Sequence, residues 1–349
     1  MSNRGMKLIA IFLGVFGCFF LFAGVEQTKA EQIELTFNML EPDNDKPYGL
    51  VNNMHRPWAA EVEKRTNGRV KIVFYWSGGL GHPIKNYELV EKGVTDMGWA
   101  ITGYTPGRFP MASVMELPFL FDNGLSGARA TWEMYEKFFN PEFKDVHVLT
   151  LSNTGPTDII TAKKPVRKLE DLKGLRIRAI GAGPTSTMKH LGATPVAISI
   201  VDCYEALQKG TIDGMLVATA PLLAMRLYEV VKYVTEVGIY SESFYYVINK
   251  KKWMSISPED RKIISEISGA RLSEMGGRSF DQESDFVKGT ILPKAGIEMI
   301  RLSKEERERW KKSAAPVDDE WLKDMESKGL PGKKLLEAAR QLSEKYSEK

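Results

Sequence analysis

The sequence predicts an α/β protein built from two similar halves. Three observations carry that reading. Between residues 31 and 101, period-2 alternation and helical periodicity take turns in a βαβαβ rhythm, which argues for a parallel sheet. The frame Lys92-Gly93-Val94-Thr95-Asp96-Met97-Gly98 returns as Lys209-Gly210-Thr211-Ile212-Asp213-Gly214-Met215. Each copy places a helix end, a capping glycine and an aspartate just before a strand. Finally, 349 residues with 43% apolar and 27% charged content give one large or two ordinary soluble domains ample material for a core.

The N-terminus departs from that composition. Arg4 and Lys7 precede an apolar run, Leu8 to Val25, followed by Glu26-Gln27-Thr28-Lys29-Ala30. A basic region, an apolar region and a final small residue read as a secretory signal peptide, residues 1–30, cut after Ala30. The run is also long enough for an uncleaved membrane anchor. A lipid-modified Cys18 is disfavoured because the apolar run continues past it. Removing residues 1–30 takes away three basic residues and one acidic, so the net charge falls from +3 to +1. Near-neutral balance gives no electrostatic case for nucleic acid or an anionic membrane surface. Cys203 is then the one cysteine left, which excludes an intrachain disulfide and a cysteine-based metal site.

Glu31 to Met39 alternates polar and apolar residues and reads as the first strand, followed by a Pro/Asp/Asn-rich loop from Glu41 to Tyr48. A helix begins at Trp58 and ends at Asn67-Gly68. Arg69–Tyr75 is a second strand, Trp76–Gly81 a loop, Tyr87–Lys92 a helix closed by Gly93, and Asp96–Ile101 a third strand. In Leu175–Ile180 apolar residues alternate with arginines, a half-buried strand. It runs into Gly181-Ala182-Gly183-Pro184 and a helix from Thr185 to Leu191. Asp202–Lys209 and Pro221–Lys232 are further helices. Ser257-Pro258-Glu259-Asp260 is a strong helix start, and its pattern continues from Arg261 to about Ile291, interrupted by Gly276-Gly277. The charge-dense tail from Ser303 reads as a solvated surface helix.

His55, His82, His147 and His190 show no metal-ligand spacing, and neither a nucleophile elbow nor a P-loop is present. Gly181-Ala182-Gly183-Pro184-Thr185-Ser186 approaches a dinucleotide fingerprint, with Asp202 about twenty residues on. Ser186 in place of the third glycine and the stiff Pro184 argue against it. Arginines at the carboxyl end of a strand suit an anion, because guanidinium fits a carboxylate in bidentate geometry. In an open α/β sheet, ligands bind outside the carboxyl ends of the strands. Trp76, Trp99 and Tyr240 fall at such positions and are candidate pocket walls.

Several runs together resemble the substrate-binding proteins of tripartite ATP-independent periplasmic (TRAP) transporters. They include L-E-D-L-K-G-L-R-I-R (169–178), G-A-T-P-V (192–196) and Y-E-A-L-Q-K-G-T-I-D-G (204–214). Thr66-Asn67-Gly68-Arg69-Val70, Glu116-Leu117-Pro118-Phe119-Leu120-Phe121 and Tyr246-Val247-Ile248-Asn249-Lys250 add to it, in the family's order and across nearly all the chain after residue 30. The resemblance implies a two-lobed periplasmic-binding-protein-like fold with hinge strands and a long lobe-spanning helix. Lobe I would hold residues 31–152 and 241–282, lobe II residues 153–240 and 283–349. It further implies that Arg178 makes the principal salt bridge to a ligand carboxylate. Many members carry a second arginine in a G-F-R run, where this chain has Gly155-Pro156-Thr157, and an asparagine in D-G-Q-E-N, where it has Asp213-Gly214-Met215-Leu216-Val217. Thr157 and Val217 thus stand in for two polar contacts, with Met215 beside them. The expected ligand is a monocarboxylate with an apolar or aromatic body, the alternative a C4-dicarboxylate. No metal and no cofactor are expected. The partners implied are small and large integral membrane subunits, approached by a periplasmic monomer. A ligand sensor and a periplasmic enzyme are the competing functions, but the sequence offers no recognisable catalytic group.

Overall fold

The computed structural model describes residues 32–347 apart from 45 and 47. The expected signal peptide lies outside the described residues. Among them no helix is long and apolar enough to cross a membrane.

The strands are β1 (Ile33–Met39), β2 (Val70–Tyr75), β3 (Met97–Ile101), β4 (Val146–Pro156), β5 (Asp158–Thr161), β6 (Arg176–Arg178), β7 (Thr194–Val196), β8 (Gly214–Val217), β9 (Tyr233–Glu236), β10 (Ser241–Asn249) and β11 (Glu298–Arg301). They form a five-stranded sheet, β2-β1-β3-β10-β4, and a six-stranded sheet, β11-β9-β5-β8-β6-β7. β1 pairs in parallel with β2 and β3, and β6 with β7 and β8, as the βαβ rhythm requires. β10 and β5 are inserted antiparallel. The helices are α1 (Arg56–Arg65), α2 (Asn86–Glu91), α3 (Gly124–Met134), α4 (Ala182–His190), α5 (Cys203–Lys209), α6 (Ala220–Ala224), α7 (Lys250–Ser255), α8 (Pro258–Glu266), α9 (Gly269–Phe286), α10 (Leu292–Lys294), α11 (Lys304–Ala314), α12 (Pro316–Ser327) and α13 (Gly332–Tyr346).

The sequence echo is a structural one. Gly93 and Gly210 both take left-handed φ, +72° and +70°, where a side chain would be strained. The Asp96 carboxylate then accepts the Thr36 N–H at 2.8 Å, and the Asp213 carboxylate accepts the Arg176 N–H at 2.8 Å. In each sheet the aspartate ties a helix-to-strand connection to the neighbouring parallel strand. Arg176 is not a free solvated arginine, because its Nε also lies 3.0 Å from Asp213 Oδ2.

The chain passes from the first sheet to the second at Thr157 and returns through residues 237–240. The two crossings run side by side. Thr157 N–H donates to the Tyr240 carbonyl at 2.7 Å and Ile239 N–H to the Thr157 carbonyl at 2.9 Å. A third passage follows α9, a π-turn over Val287–Ile291 and α10 into β11.

Four expectations need correction. The strand at Arg178 is short, because the Gly-Pro turn is already the first turn of α4. Proline is tolerated there, since first-turn N–H groups have no helical partner. The run from Pro221 stops being helical at Ala224, since Arg226 takes φ +55° and a left-handed residue cannot extend the ladder. The long pattern after Arg261 is two helices, broken where Gly269 takes φ +61°. Gly276-Gly277 lie inside α9 instead of interrupting it. The tail is three helices, and it is not simply solvated. Trp310, Ala314, Val317, Trp321 and Met325 form a buried stripe at helical spacing. Trp310 completes a core beneath the six-stranded sheet with Ile159, Ile177, Leu216 and Tyr240.

Candidate functional site

The carboxyl ends of parallel strands from both sheets face one cavity, which holds about 450 Å³ of space between atoms. Leu40 and Glu41 follow β1, Trp99 and Ile101 lie on β3, Arg178 ends β6 and Val217 ends β8. β10 contributes Glu242 and Phe244, and α9 contributes Phe280 and Glu283. Trp99 stacks on Phe244 with ring centres 4.7 Å apart, and Phe244 meets Phe280 at 5.3 Å. The first pair is stacked and the second tilted, and together they make an aromatic wall.

Arg178 is only 1% exposed. Its Nη1 lies 2.8 Å from Glu242 Oε1, and the carbonyls of Ile198 and Leu216 lie 3.4 Å from Nε and Nη1. Nη2 has no hydrogen-bond partner among the described residues. Tyr240 O–H donates to the same Glu242 oxygen at 3.1 Å, and Glu242 N–H donates to Thr154 Oγ1 at 3.0 Å. Burial works against the Arg178 charge, but the facing Glu242 carboxylate outweighs it and raises the guanidinium pKa. Burial raises the Tyr240 phenol well above its ordinary value, so it stays protonated as a donor.

Glu41 and Glu283 also line the cavity. Burial, then Asp43, pushes the Glu41 carboxyl up to about 8, and burial, then Glu41, pushes Glu283 up to about 9. Glu41 Oε1 meets His55 Nε2 in ion-pair geometry, and His55 Nδ1 meets the Tyr246 hydroxyl. Burial lowers His55 to about 3, so contact and charge disagree. With both groups fully desolvated, a neutral carboxyl against a neutral imidazole is the consistent state.

Of the residues singled out in the sequence, Arg178, Trp99 and Val217 line this cavity together. Tyr240 stands behind Glu242 as its donor. Met215 is fully buried and pairs in register with Arg178 across β6 and β8, outside the lining. Thr157 is buried in the crossing, its Oγ1 without a partner among the described residues. Trp76 stacks on Phe74 with centres 4.8 Å apart, away from the cavity. At Gly181, the residue before α4, a Cβ would stand 3.0 Å from Glu116 Oε2. A carboxyl therefore lies against the turn, where a phosphate would meet like charge. Glu41, Glu242 and Glu283 were not anticipated. Glu242 does leave a trace, as the single charged residue in the strand Ser241–Asn249.

Residues 44–324 match the DctP family, described as bacterial extracellular solute-binding protein, family 7. The chain is 27% identical over 316 residues to the outer membrane transporter protein TsaT of Comamonas testosteroni, covering 89% of this chain and 91% of that protein. It superposes with a TM-score of 0.86 and 32% identity on a TRAP solute-binding protein from Rhodoferax ferrireducens T118 in complex with copurified benzoate, covering 90% of this chain and 99% of that one. A marine metagenome TRAP solute-binding protein specific for aromatic acid ligands, in complex with 3-hydroxybenzoate, gives 0.87 and 30% identity over 91% of this chain and 100% of that one. The two sheets are thus the two-lobed α/β architecture of these proteins, and the chain belongs to family 7 of the bacterial extracellular solute-binding proteins, the TRAP type.

Proposed function

We propose that the protein captures a monocarboxylate with an apolar or aromatic body in this cavity. It delivers the acid, in the periplasm and as a monomer, to small and large TRAP membrane subunits for ion-gradient-driven uptake. One observation carries the reading. Arg178 is the single basic residue among those lining a cavity otherwise walled by apolar and aromatic side chains and carboxyls. Its unengaged Nη2 suits one carboxylate. A second carboxylate would face Glu41, Glu242 and Glu283, and an unpaired buried charge costs on the order of several kcal/mol. The relatives with benzoate and 3-hydroxybenzoate support the same ligand class.

In this reading Trp99 and Val217 touch the ligand body, while Tyr240 and Met215 hold the Arg178–Glu242 pair from behind. Thr157 acts in the hinge, and Trp76 supports the first sheet outside the cavity. The lobes divide at the crossings, residues 31–152 with 241–282 and 153–240 with 283–349, and close over the ligand.

The test is thermal unfolding of residues 31–349 against a panel of organic acids. Ligand at a thousand times its dissociation constant stabilises by about 4 kcal/mol, a shift of several degrees. The expected shift is confined to aromatic or branched monocarboxylates and is lost in Arg178→Ala. A larger shift with succinate or malate would overturn the ligand class. No shift with any carboxylate, once mass spectrometry has excluded a copurified ligand, would overturn the role of Arg178.

A further inference from the structure

The cavity has a second polar group that a single carboxylate at Arg178 leaves unused. Glu41, in the loop after β1, and Glu283, on α9, both line the cavity and are each 4% exposed. Glu283 has no hydrogen-bond partner among the described residues. Gly49, with φ +115°, lies against it, and a Cβ there would stand 2.7 Å from Glu283 Oε2. Any larger residue at that position would displace the carboxyl. The contact of the Glu41 carboxyl is His55. Among the described residues no hydrogen bond or ion pair joins Glu41 or Glu283 to Arg178 or Glu242. A buried polar group without a partner is costly, and its presence calls for an explanation.

The chemistry of the missing partner can be narrowed. A second carboxylate has acceptors only, and would leave a carboxyl's own acceptor oxygen unmet. A neutral carboxyl presents one O–H donor and a carbonyl acceptor. A hydroxyl complements both, since it too donates and accepts. An ammonium has donors only, and would pair with these groups as carboxylates, at the cost of burying charge on both sides.

We propose that Glu283 and Glu41 form a hydroxyl-binding subsite, so that the preferred ligands are monocarboxylic acids bearing a hydroxyl on the body, away from the carbon next to the carboxylate. This deepens the function proposed above and rests on Arg178 holding the carboxylate.

Titration calorimetry at pH 7 tests it. The probes are benzoate and phenylacetate, their 3- and 4-hydroxy counterparts, and 3-(aminomethyl)benzoate. The expected result is that one ring hydroxyl tightens binding to the wild type about tenfold. Glu283→Leu should erase that gain and still bind the plain acids. Glu283→Gln, whose amide both donates and accepts, should keep most of it. Equal affinity of the wild type for plain and hydroxylated acids would overturn the subsite. So would a Glu283→Leu variant that melts like the wild type yet loses plain and hydroxylated acids alike. A gain confined to the ammonium acid would also overturn it. If none of these acids bound the wild type, the aromatic ligand class would fall, and the subsite with it.

Discussion

Arg178 and Glu242 reach each other from different sheets. Arg178 ends β6 in the six-stranded sheet, Glu242 stands near the start of β10 in the five-stranded sheet, and Nη1 lies 2.8 Å from Oε1. Their side chains are 1% and 6% exposed. Such a pair loses hydration on both sides, so it is weak evidence of net stabilisation. What it fixes is orientation. Glu242 holds one edge of the guanidinium, and Tyr240 and Thr154 hold Glu242, while Nη2 is left without a hydrogen-bond partner among the described residues.

Removing one partner should therefore cost more than removing both. Arg178→Met leaves a buried carboxylate without compensation, and a loss of about 3–5 kcal/mol is expected in urea unfolding. Adding Glu242→Gln removes that charge and keeps an acceptor for the Tyr240 hydroxyl. The double variant should recover most of the stability and none of the carboxylate affinity. Equal instability of single and double variants would show that the pair is not the source of the loss.

The close contact of α9 with α3 gives a second expectation. A Cβ on Gly277 would stand 2.5 Å from the Gly124 carbonyl oxygen and 2.8 Å from the Ala128 Cβ. Backbone and a methyl group cannot step aside as a flexible side-chain tip would. Gly277→Ala should cost about 1–3 kcal/mol by overpacking. Gly289 lies in the helical turn that continues α9, with nothing within 4 Å of its would-be Cβ. Gly289→Ala should leave the unfolding midpoint unchanged or raise it. Parallel losses in both variants would count against the packing argument.

The uneven legibility of fold and site has a physical cause. Arg178 could be found because an alternating strand ends on it and the family motif falls there, Val217 because of the family motif alone, and Trp99 because chain order places it on a strand facing the crevice. The Lys-Gly part of the repeated frame was legible because a left-handed glycine after a helix is demanded locally, whereas its aspartates bond strands 60 and 37 residues away. Glu242 binds Arg178 across 64 residues of sequence, and no local rule carries that far. Glu283 was partly legible. It falls at helical spacing with Leu272, Gly276, Phe280 and Val287, all buried, but Asp281 and Asp285 beside it make the segment look solvated. The same masking hid the stripe from Trp310 to Met325 among its lysines and glutamates. Thr157 was singled out at the family's G-F-R position, and no local rule showed that strand β4 continues there into the crossing, where the backbone at Thr157 joins Ile239 and Tyr240.

Glu133 on α3 anchors the C-terminal helix. Its carboxylate lies 2.6 Å from Lys137 Nζ, 2.8 Å from Lys345 Nζ and 2.6 Å from the Tyr346 hydroxyl. Burial works to raise its pKa, but these three partners prevail and hold it at about 2, below the ordinary 4.5. A depressed carboxyl contributes stability that is present above the unfolded value and lost as pH falls through the folded one. Glu133→Gln should therefore lower stability by about 1–2 kcal/mol at pH 7. The difference from the wild type should shrink steadily between pH 4.5 and about 2. A difference that stays constant over that range would assign the loss to packing instead of charge.

Glu283 titrates in the opposite sense. Burial first, and then the neighbouring Glu41, raise it from 4.5 to about 9, with Lys46 pulling the other way. Below pH 4.5 the group is protonated whether the chain is folded or unfolded, and it imposes no penalty. As pH rises further the unfolded carboxyl ionises while the folded one keeps its proton, so the unfolded state gains and stability falls until about pH 9. Glu41, raised to about 8, adds a fall of the same sign. Glu283→Gln abolishes the first contribution without changing the side-chain volume much. Its urea midpoint should match the wild type near pH 4.5 and exceed it by a growing margin at pH 6, 7.5 and 9. Glu41→Gln should show a similar but smaller margin, and the double variant should be the flattest of all. Parallel curves for wild type and Glu283→Gln would mean that Glu283 is solvated and ionised in the folded protein, which would also remove the buried carboxyl that the ligand hydroxyl is expected to satisfy.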